Sequence, residues 1–241
     1  MTPTLTCSTD ADRPYTSPSQ EAQVDMKHVL VVVLLIAAGV SAQSGRPLPS
    51  DIDARSYSRL PLISKNSLDV EGRRVFEAIN GKDASVPRLG PPANSMYALA
   101  ASEPYDRLNQ LLRTNTVGAK FFEISTLVPA REFNQQYEWS GHEAAARRAG
   151  VADTVIDVIK HNRPVKGLPE KEATVIEFGR AMLRGDHSVP SPLFARMVRL
   201  FGREGTIEIT IIMGDYTMTA MLLNAVDQHL PPDREPLLPK R

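Results

Sequence analysis

The carboxyl-terminal half of the chain has a helical pattern of apolar and polar positions. From about Ser95 onward, apolar residues recur every three or four positions, the period of an α-helix with one buried face. Three of these runs end at a glycine, as helices commonly do, at Gly150, Gly185 and Gly202. The last run, 205–230, is long and largely apolar and stops before two prolines. No strands alternate with these runs, so the pattern predicts an all-α fold.

The sequence also predicts where individual helices begin or break. In "SEPYDRLNQLLRTN", Ser102 is a candidate N-cap, with Pro104 in the first turn. The stretch "GAKFFEISTLVPAREFN" is apolar on most faces and predicts a buried helix. Pro129 predicts that this helix is kinked or divided. The next helix runs through "YEWSGHEAAARRAG" and stops at Gly150.

The part of the chain before these helices is organised differently. Residues 43–94 are rich in Pro, Ser, Arg and Gly and contain one plausible helix, "SLDVEGRRVFEAIN", which Ser67 opens. We predict an arm here that wraps the domain or reaches a neighbouring subunit. The stretch "VPRLGPPAN" separates this arm from the main helical domain, 95–230. Residues 231–241 are predicted to form a carboxyl-terminal tail.

Residues 26–42 have the layout of a secretory signal peptide. A short basic start precedes an apolar run of about a dozen residues, and "VSA" ends on a small-x-small cleavage pattern. The run is too short to span a bilayer comfortably, so no stable membrane span is expected after cleavage. The protein is then secreted or periplasmic. If the run is instead a buried helix or strand, the protein is cytoplasmic.

The segment 1–25, which precedes the signal, is polar and rich in Pro, Ser and Thr. A signal peptide normally opens a chain, so we expect Met26 to be the true start and 1–25 to be an extension without ordered structure. Cleavage after Ala42 would remove Cys7, the only cysteine. No intrachain disulfide, cysteine zinc site or dithiol redox pair is therefore available.

The charge balance argues against a nucleic-acid partner. The chain has 28 Lys and Arg and 28 Asp and Glu, which gives a formal net charge of zero. Phosphate binding needs a basic surface excess that this composition lacks. A small-molecule substrate is the expected partner.

One stretch, "REFNQQYEWSGHE", concentrates polar chemistry. Glu138 and His142 are four residues apart and share one helix face, where a carboxylate fixes the imidazole tautomer and tunes it for proton transfer. Glu123 lies on the preceding buried helix and needs a partner, for which His142 or Arg131 is available. The alternative is an ordinary exposed Glu–His pair, with Glu123 serving only as a cap or bridge.

The residues 115–150 resemble the carboxymuconolactone decarboxylase and alkylhydroperoxidase D (AhpD) superfamily. The family pattern of a glutamate, two cysteines and a histidine falls at Glu123, Gln135, Glu138 and His142, which are successively 12, 3 and 4 positions apart. The "HEAAARRAGV" stretch matches the family's helix ending, and the "YEW" before the histidine is typical of the decarboxylase-like branch. The resemblance extends over 99–230. It implies an AhpD-like helical bundle that assembles as a trimer or hexamer.

The resemblance implies acid–base chemistry on a small carboxylated or lactone substrate, either decarboxylation or isomerisation, without a metal or an organic cofactor. The implied catalytic residues are Glu123, Glu138 and His142. The predicted substrate-binding residues are Arg131, which with the helix-start N–H groups would hold a carboxylate, Gln135 at that helix start, and Tyr137 and Trp139, which would form an apolar wall. On the last helix, Tyr216 could also face the pocket. Thiol peroxidase activity is not expected, because Gln135 and Glu138 replace both cysteines.

Two alternatives to the enzyme remain open at the level of sequence. The chain could be a non-catalytic small-molecule binder or oligomer component that kept the fold after losing the cysteines. Glu123, Glu138 and His142 could instead form a site for a divalent ion. Convergence of these three side chains in a sheltered pocket would favour the enzyme over the binder.

Overall fold

A computed structural model describes residues 48–239, and within this range the chain is all-α, as predicted, with no β-strand. The segments 1–25 and 26–42, including the predicted signal peptide, lie outside the described residues. The helices are α1 (Val70–Asn80), α2 (Pro91–Ser95), α3 (Leu99–Leu112), α4 (Ala119–Glu132), α5 (Gln136–Arg148), α6 (Asp153–Lys160), α7 (Glu170–Leu183) and α8 (Ser191–Ala225).

Helix α4 is the centre of the domain. Every residue from Phe122 to Arg131 is buried, because α5, α6, α7 and α8 pack around it. This confirms the prediction of a buried helix over this stretch. The predicted division at Pro129 is wrong: α4 is one helix with Pro129 inside it. Pro129 lies in the last turn, where a lost hydrogen bond costs little against the packing of four neighbouring helices.

The boundaries of three other helices test the capping predictions. Helix α3 begins at Leu99, so Ser102 is not its N-cap; the buried Ser102 hydroxyl donates instead to the carbonyl of Ala98, 3.2 Å away. Helix α5 ends at Arg148 just before Gly150, whose φ of +81° ends the helix as predicted. Helix α8 is interrupted at Gly202, which has a non-helical φ of +70° and ψ of 177°, at the predicted break.

Residues 48–94 are attached to the helical domain of the same chain. Helix α1, capped by Asp69 rather than Ser67, buries a small apolar cluster together with Met96. The Asn94 amide donates to the Gln228 side-chain oxygen over 2.9 Å, and the Gln228 amide donates to the Ser56 carbonyl over 2.9 Å. These buried hydrogen bonds hold the segment against the end of α8.

The carboxyl-terminal residues fold back onto the first turn of α5. The Gln136 side chain donates to the Leu238 carbonyl over 2.7 Å and accepts from the Leu238 N–H over 3.0 Å. The Leu238 side chain is 4% exposed and belongs to the main core. The Arg234 guanidinium lies over the ring of Tyr137, 5.5 Å from its centroid. This segment therefore braces the start of α5.

Helix α8 keeps an apolar face in solvent. Ile207, Ile211, Met218 and Met221 are exposed and lie on one side of the helix. By length and composition α8 could cross a membrane, but half of its most apolar window is buried in the core, as in the central helix of a globular domain. The homo-oligomer implied by the resemblance stays a prediction.

Candidate functional site

A cavity of about 210 Å³ opens between α2, α3, α5 and α8. Helix α3 contributes one face, on which polar residues recur every four positions, and α5 contributes the paired acid and imidazole predicted from the sequence. The lining residues are Arg88, Pro91, Pro92, Tyr105, Asp106, Asn109, Arg113, Glu138, His142, Tyr216 and Thr219.

The imidazole of His142 is held from behind by α4. Its Nδ1 lies 2.8 Å from Oε2 of Glu123, a buried carboxylate that the central helix carries to this position. The ring also packs edge-on against Tyr216, with centroids 4.9 Å apart. Because a carboxylate oxygen accepts and cannot donate, Nδ1–H is the donor of this hydrogen bond. The lone pair of the neutral ring is then on Nε2.

Glu138 lies on the other side of the same imidazole. Its Oε2 is 3.8 Å from Nε2 of His142, and among residues 48–239 this buried oxygen has no hydrogen-bond partner. Burial raises the pKa of Glu138 to about 7, an effect that His142 opposes and Asp215 reinforces. The carboxyl is therefore poised to give or take a proton near neutral pH.

This raised pKa predicts a pH-dependent effect of Glu138→Gln on stability. The folded state keeps the Glu138 proton up to about pH 7, whereas the unfolded chain loses it near the ordinary value of 4.5. The stabilising contribution of the protonated carboxyl is therefore complete below pH 4.5 and is lost as the pH rises to 7. A glutamine does not titrate, so the stability of Glu138→Gln should not fall over this range. Between pH 4.5 and 8, the free energy of unfolding of the variant should therefore rise relative to that of wild type by on the order of 3 kcal/mol.

Urea unfolding of both proteins at pH 5 and pH 8 measures this difference. A difference in unfolding free energy that stays constant between the two pH values would contradict the assignment of Glu138.

The structure brings Glu123, Glu138 and His142 together but does not bring Arg131 to the cavity. Arg131 is buried on α4, and its Nη1 donates to the Asn134 side-chain oxygen over 2.8 Å. Arg131 therefore contacts the turn between α4 and α5 and lies outside the residues that line the cavity.

The other residues predicted from the opening of α5 have structural contacts. Gln135 caps the helix by accepting from the Tyr137 N–H over 2.7 Å, and its amide donates to the Asn224 side-chain oxygen. Trp139 is fully buried in the core and its indole N–H donates to Glu143. Tyr137 packs against Gly90 at the start of α2, next to the cavity but outside its lining. None of the three lines the cavity.

A positively charged side chain that was not predicted from the sequence also lines the cavity. Arg113, at the end of α3, lines the cavity and forms no salt bridge with a carboxylate of the described residues. Its Nη2 lies 3.3 Å from both the Asn109 side-chain oxygen and the Tyr216 hydroxyl. Tyr105, Asn109 and Arg113 are four positions apart in the sequence, a spacing that places them on one face of a helix. This spacing could have indicated that Arg113 faces the same site as the other two.

Arg113 is oriented by a buried carboxylate behind it. The Asn109 amide donates to Oδ2 of Asp215 over 2.9 Å, so Asn109 links Asp215 on α8 to Arg113 on α3. Burial raises the pKa of Asp215, and the hydrogen bond from Asn109 opposes that rise. The guanidinium is thereby held at the cavity with donors left for an anionic ligand.

The metal alternative finds no support in this geometry. No group of three or more His, Cys, Asp and Glu side chains between residues 48 and 239 is arranged to hold a metal ion. Glu123 lies at Nδ1 of His142 and Glu138 lies at Nε2, on opposite sides of the ring. The two carboxylates and the imidazole therefore cannot coordinate the same ion.

Comparison with known proteins identifies the fold. No protein-family model matches the chain, and no curated protein matches it. The chain is similar to the crystal structure of an alkylhydroperoxidase AhpD core, an uncharacterized peroxidase-related protein from Ralstonia eutropha. The two are 18% identical with a TM-score of 0.55, and the match covers 72% of this chain and 92% of that one. The chain therefore has an AhpD-like fold, as its sequence predicted.

Proposed function

We propose that the protein is an acid–base enzyme that acts on a small carboxylated or lactone substrate, by decarboxylation or isomerisation. The observation that carries the proposal is the imidazole of His142, with Glu123 2.8 Å from one ring nitrogen and Glu138 3.8 Å from the other. All three side chains are largely buried, and two of them line the cavity. This convergence favours an enzyme over the binder or scaffold. Burying three ionisable groups costs free energy of folding, and a binder or scaffold does not need them.

Arg113 takes the role that the sequence assigned to Arg131. A substrate carboxylate can accept from the guanidinium in a charge-assisted pair, and Arg113 forms no salt bridge with a carboxylate of the residues that the structure describes. Arg88 stands at the same cavity but is already 3.8 Å from Asp106. The anionic end of the substrate is therefore expected at Arg113.

The cavity volume suits a small substrate. A protein cavity of about 150 Å³ accommodates benzene. The 210 Å³ of this cavity therefore suits a six-carbon ring or chain that carries one carboxylate. A lactone ring with a carboxylate substituent fits the same limit.

The peroxidase-related description of the structural neighbour is not carried over to this chain. A thiol peroxidase needs a thiolate nucleophile, and the two positions that would supply it are Gln135 and Glu138. Gln135 is committed to capping α5 and to Asn224. Glu138 supplies a proton-transfer group in place of sulfur.

The proposal predicts that Arg113→Met weakens binding of carboxylated ligands by about 10- to 100-fold, the worth of one charge-assisted hydrogen bond. A panel of carboxylated γ-lactones and β-keto acids is screened for carbon dioxide release and for loss of the lactone, and the affinity of each hit is measured by calorimetry.

The matched control is Arg107→Met, which removes an exposed arginine from the same helix away from the cavity. Equal affinities for the Arg113 and Arg107 variants would remove Arg113 from the binding site. A panel without turnover, but with binding that depends on Arg113, would favour the small-molecule binder.

A further inference from the structure

The two proton-transfer groups of the cavity have complementary roles. His142 donates from Nδ1 to Glu123, which leaves Nε2 as an acceptor. The facing Glu138 carboxyl has no hydrogen-bond partner among residues 48–239 and is protonated in part near neutral pH, which makes it a donor. The wall therefore presents one acceptor and one donor whose nearest atoms are 3.8 Å apart.

We propose that this pair moves a proton between the α-carbon and the carbonyl oxygen of a keto acid, so that the reaction is a keto–enol proton shift. This inference rests on the proposed function and narrows it to isomerisation. Loss of carbon dioxide needs only a proton donor for the resulting carbanion, whereas a proton shift needs an acceptor and a donor together. The geometry supplies both.

The spacing of the pair matches the spacing of the reacting atoms. The α-carbon and the oxygen of a ketone are about 2.4 Å apart, from their bond lengths. Both atoms can therefore approach groups that are 3.8 Å apart at hydrogen-bond range. The Glu123 hydrogen bond and the edge contact with Tyr216 fix the imidazole, so that the acceptor is held in place before the substrate binds.

The step balances within the substrate and these two side chains. Nε2 of His142 takes the α-proton, and the electrons of the C–H bond become the C=C bond of the enol. The C=O π electrons take the proton of Glu138 as the O–H bond forms. The products are the enol, an imidazolium and a carboxylate, and the last two are 3.8 Å apart on α5 and attract each other. Return of a proton from the imidazolium to the same carbon, and of the enol O–H proton to the Glu138 carboxylate, regenerates the ketone and both groups.

The substrate class that follows is a small keto acid. Its carboxylate binds Arg113, and its ketone lies against Nε2 of His142 and the Glu138 carboxyl, which are 3.8 Å apart. A suitable probe is 3-oxocyclohexane-1-carboxylate, which has a six-carbon ring, one carboxylate and no carboxylate that can leave from the β-position of the ketone. Cyclohexanone provides the same ketone without the carboxylate.

The test is exchange of the α-protons of 3-oxocyclohexane-1-carboxylate in D₂O near neutral pH, followed by proton NMR with the full chain. We expect exchange about 10²- to 10⁴-fold faster than in buffer, with no release of carbon dioxide. H142Q should abolish this enhancement, and E138Q, which keeps the shape but lacks the acidic proton, should reduce it at least tenfold. Cyclohexanone should exchange no faster than in buffer.

The outcomes separate the inference from the proposed function. Binding of the keto acid that weakens in R113M, without any enhanced exchange, overturns the proton shift and leaves the carboxylate site intact. Enhanced exchange that survives in both H142Q and E138Q also overturns it. No binding of any carboxylated probe overturns the proposed function and the inference with it.

Discussion

Replacing His142 with glutamine should lower kcat by about 10²- to 10⁴-fold, the usual contribution of a general acid–base group. Glutamine can still form a hydrogen bond with Glu123, so the fold should be retained, but an amide neither accepts nor delivers a proton at neutral pH. The effect should fall on kcat rather than KM, because Arg113 and not His142 is expected to hold the substrate carboxylate. Steady-state kinetics on the substrate found by screening measures it.

The chain offers a matched control for this variant. His161 also lies 2.8 Å from a carboxylate, that of Asp157, and the two residues are four apart on α6 and its cap. Neither residue lines the cavity, so H161Q should leave kcat unchanged. If H142Q turns over as fast as H161Q, the imidazole of His142 has no part in the chemistry.

Replacing Gly90 with alanine should lower the free energy of unfolding by about 2–6 kcal/mol, a large share of the stability of a typical domain. Gly90 has a φ of +80°, a conformation that costs another residue about 1–3 kcal/mol. A Cβ atom there would also lie 2.7 Å from Cζ and 2.8 Å from the hydroxyl oxygen of Tyr137. That collision adds about 1–3 kcal/mol, because the ring is held between Gly90 and Arg234.

Gly81→Ala separates these two costs. Gly81 has a φ of +89°, but a Cβ there meets no atom within 4 Å. The Gly81 variant should therefore lose only the backbone cost in urea unfolding, and the Gly90 variant should lose more. Equal losses would mean that Tyr137 moves aside freely and that the contact at the start of α2 is not tight.

Features that depend on local spacing could be predicted from the sequence. The helix period from Ser95 onward gave the all-α class, and Gly150 and Gly202 marked real interruptions because their backbone conformations exclude a continuing helix. Glu138 and His142 are one turn apart on one helix, so their proximity is set by helix geometry. The family spacing then identified Glu123, which the fold brings to the other ring nitrogen.

Features that depend on tertiary packing could not be predicted in this way. Arg131 and Arg113 are equally plausible cations in the sequence, and only the rotation of α4 and α3 about their axes decides which one reaches the cavity. Trp139 is one residue from Glu138 but points into the core, since neighbours on a helix face different directions. The unbroken helix through Pro129 likewise results from packing that no local rule includes.

The fold-back of the carboxyl-terminal residues determines how the protein can be handled. Leu238 is buried and hydrogen-bonded at both backbone atoms to Gln136, and Gln136 is two residues before Glu138. An immobilisation or affinity tag attached after Leu238 would therefore disturb the first turn of α5, the helix that carries Glu138. Attachment at Arg107, on the exposed side of α3, would not disturb the first turn of α5.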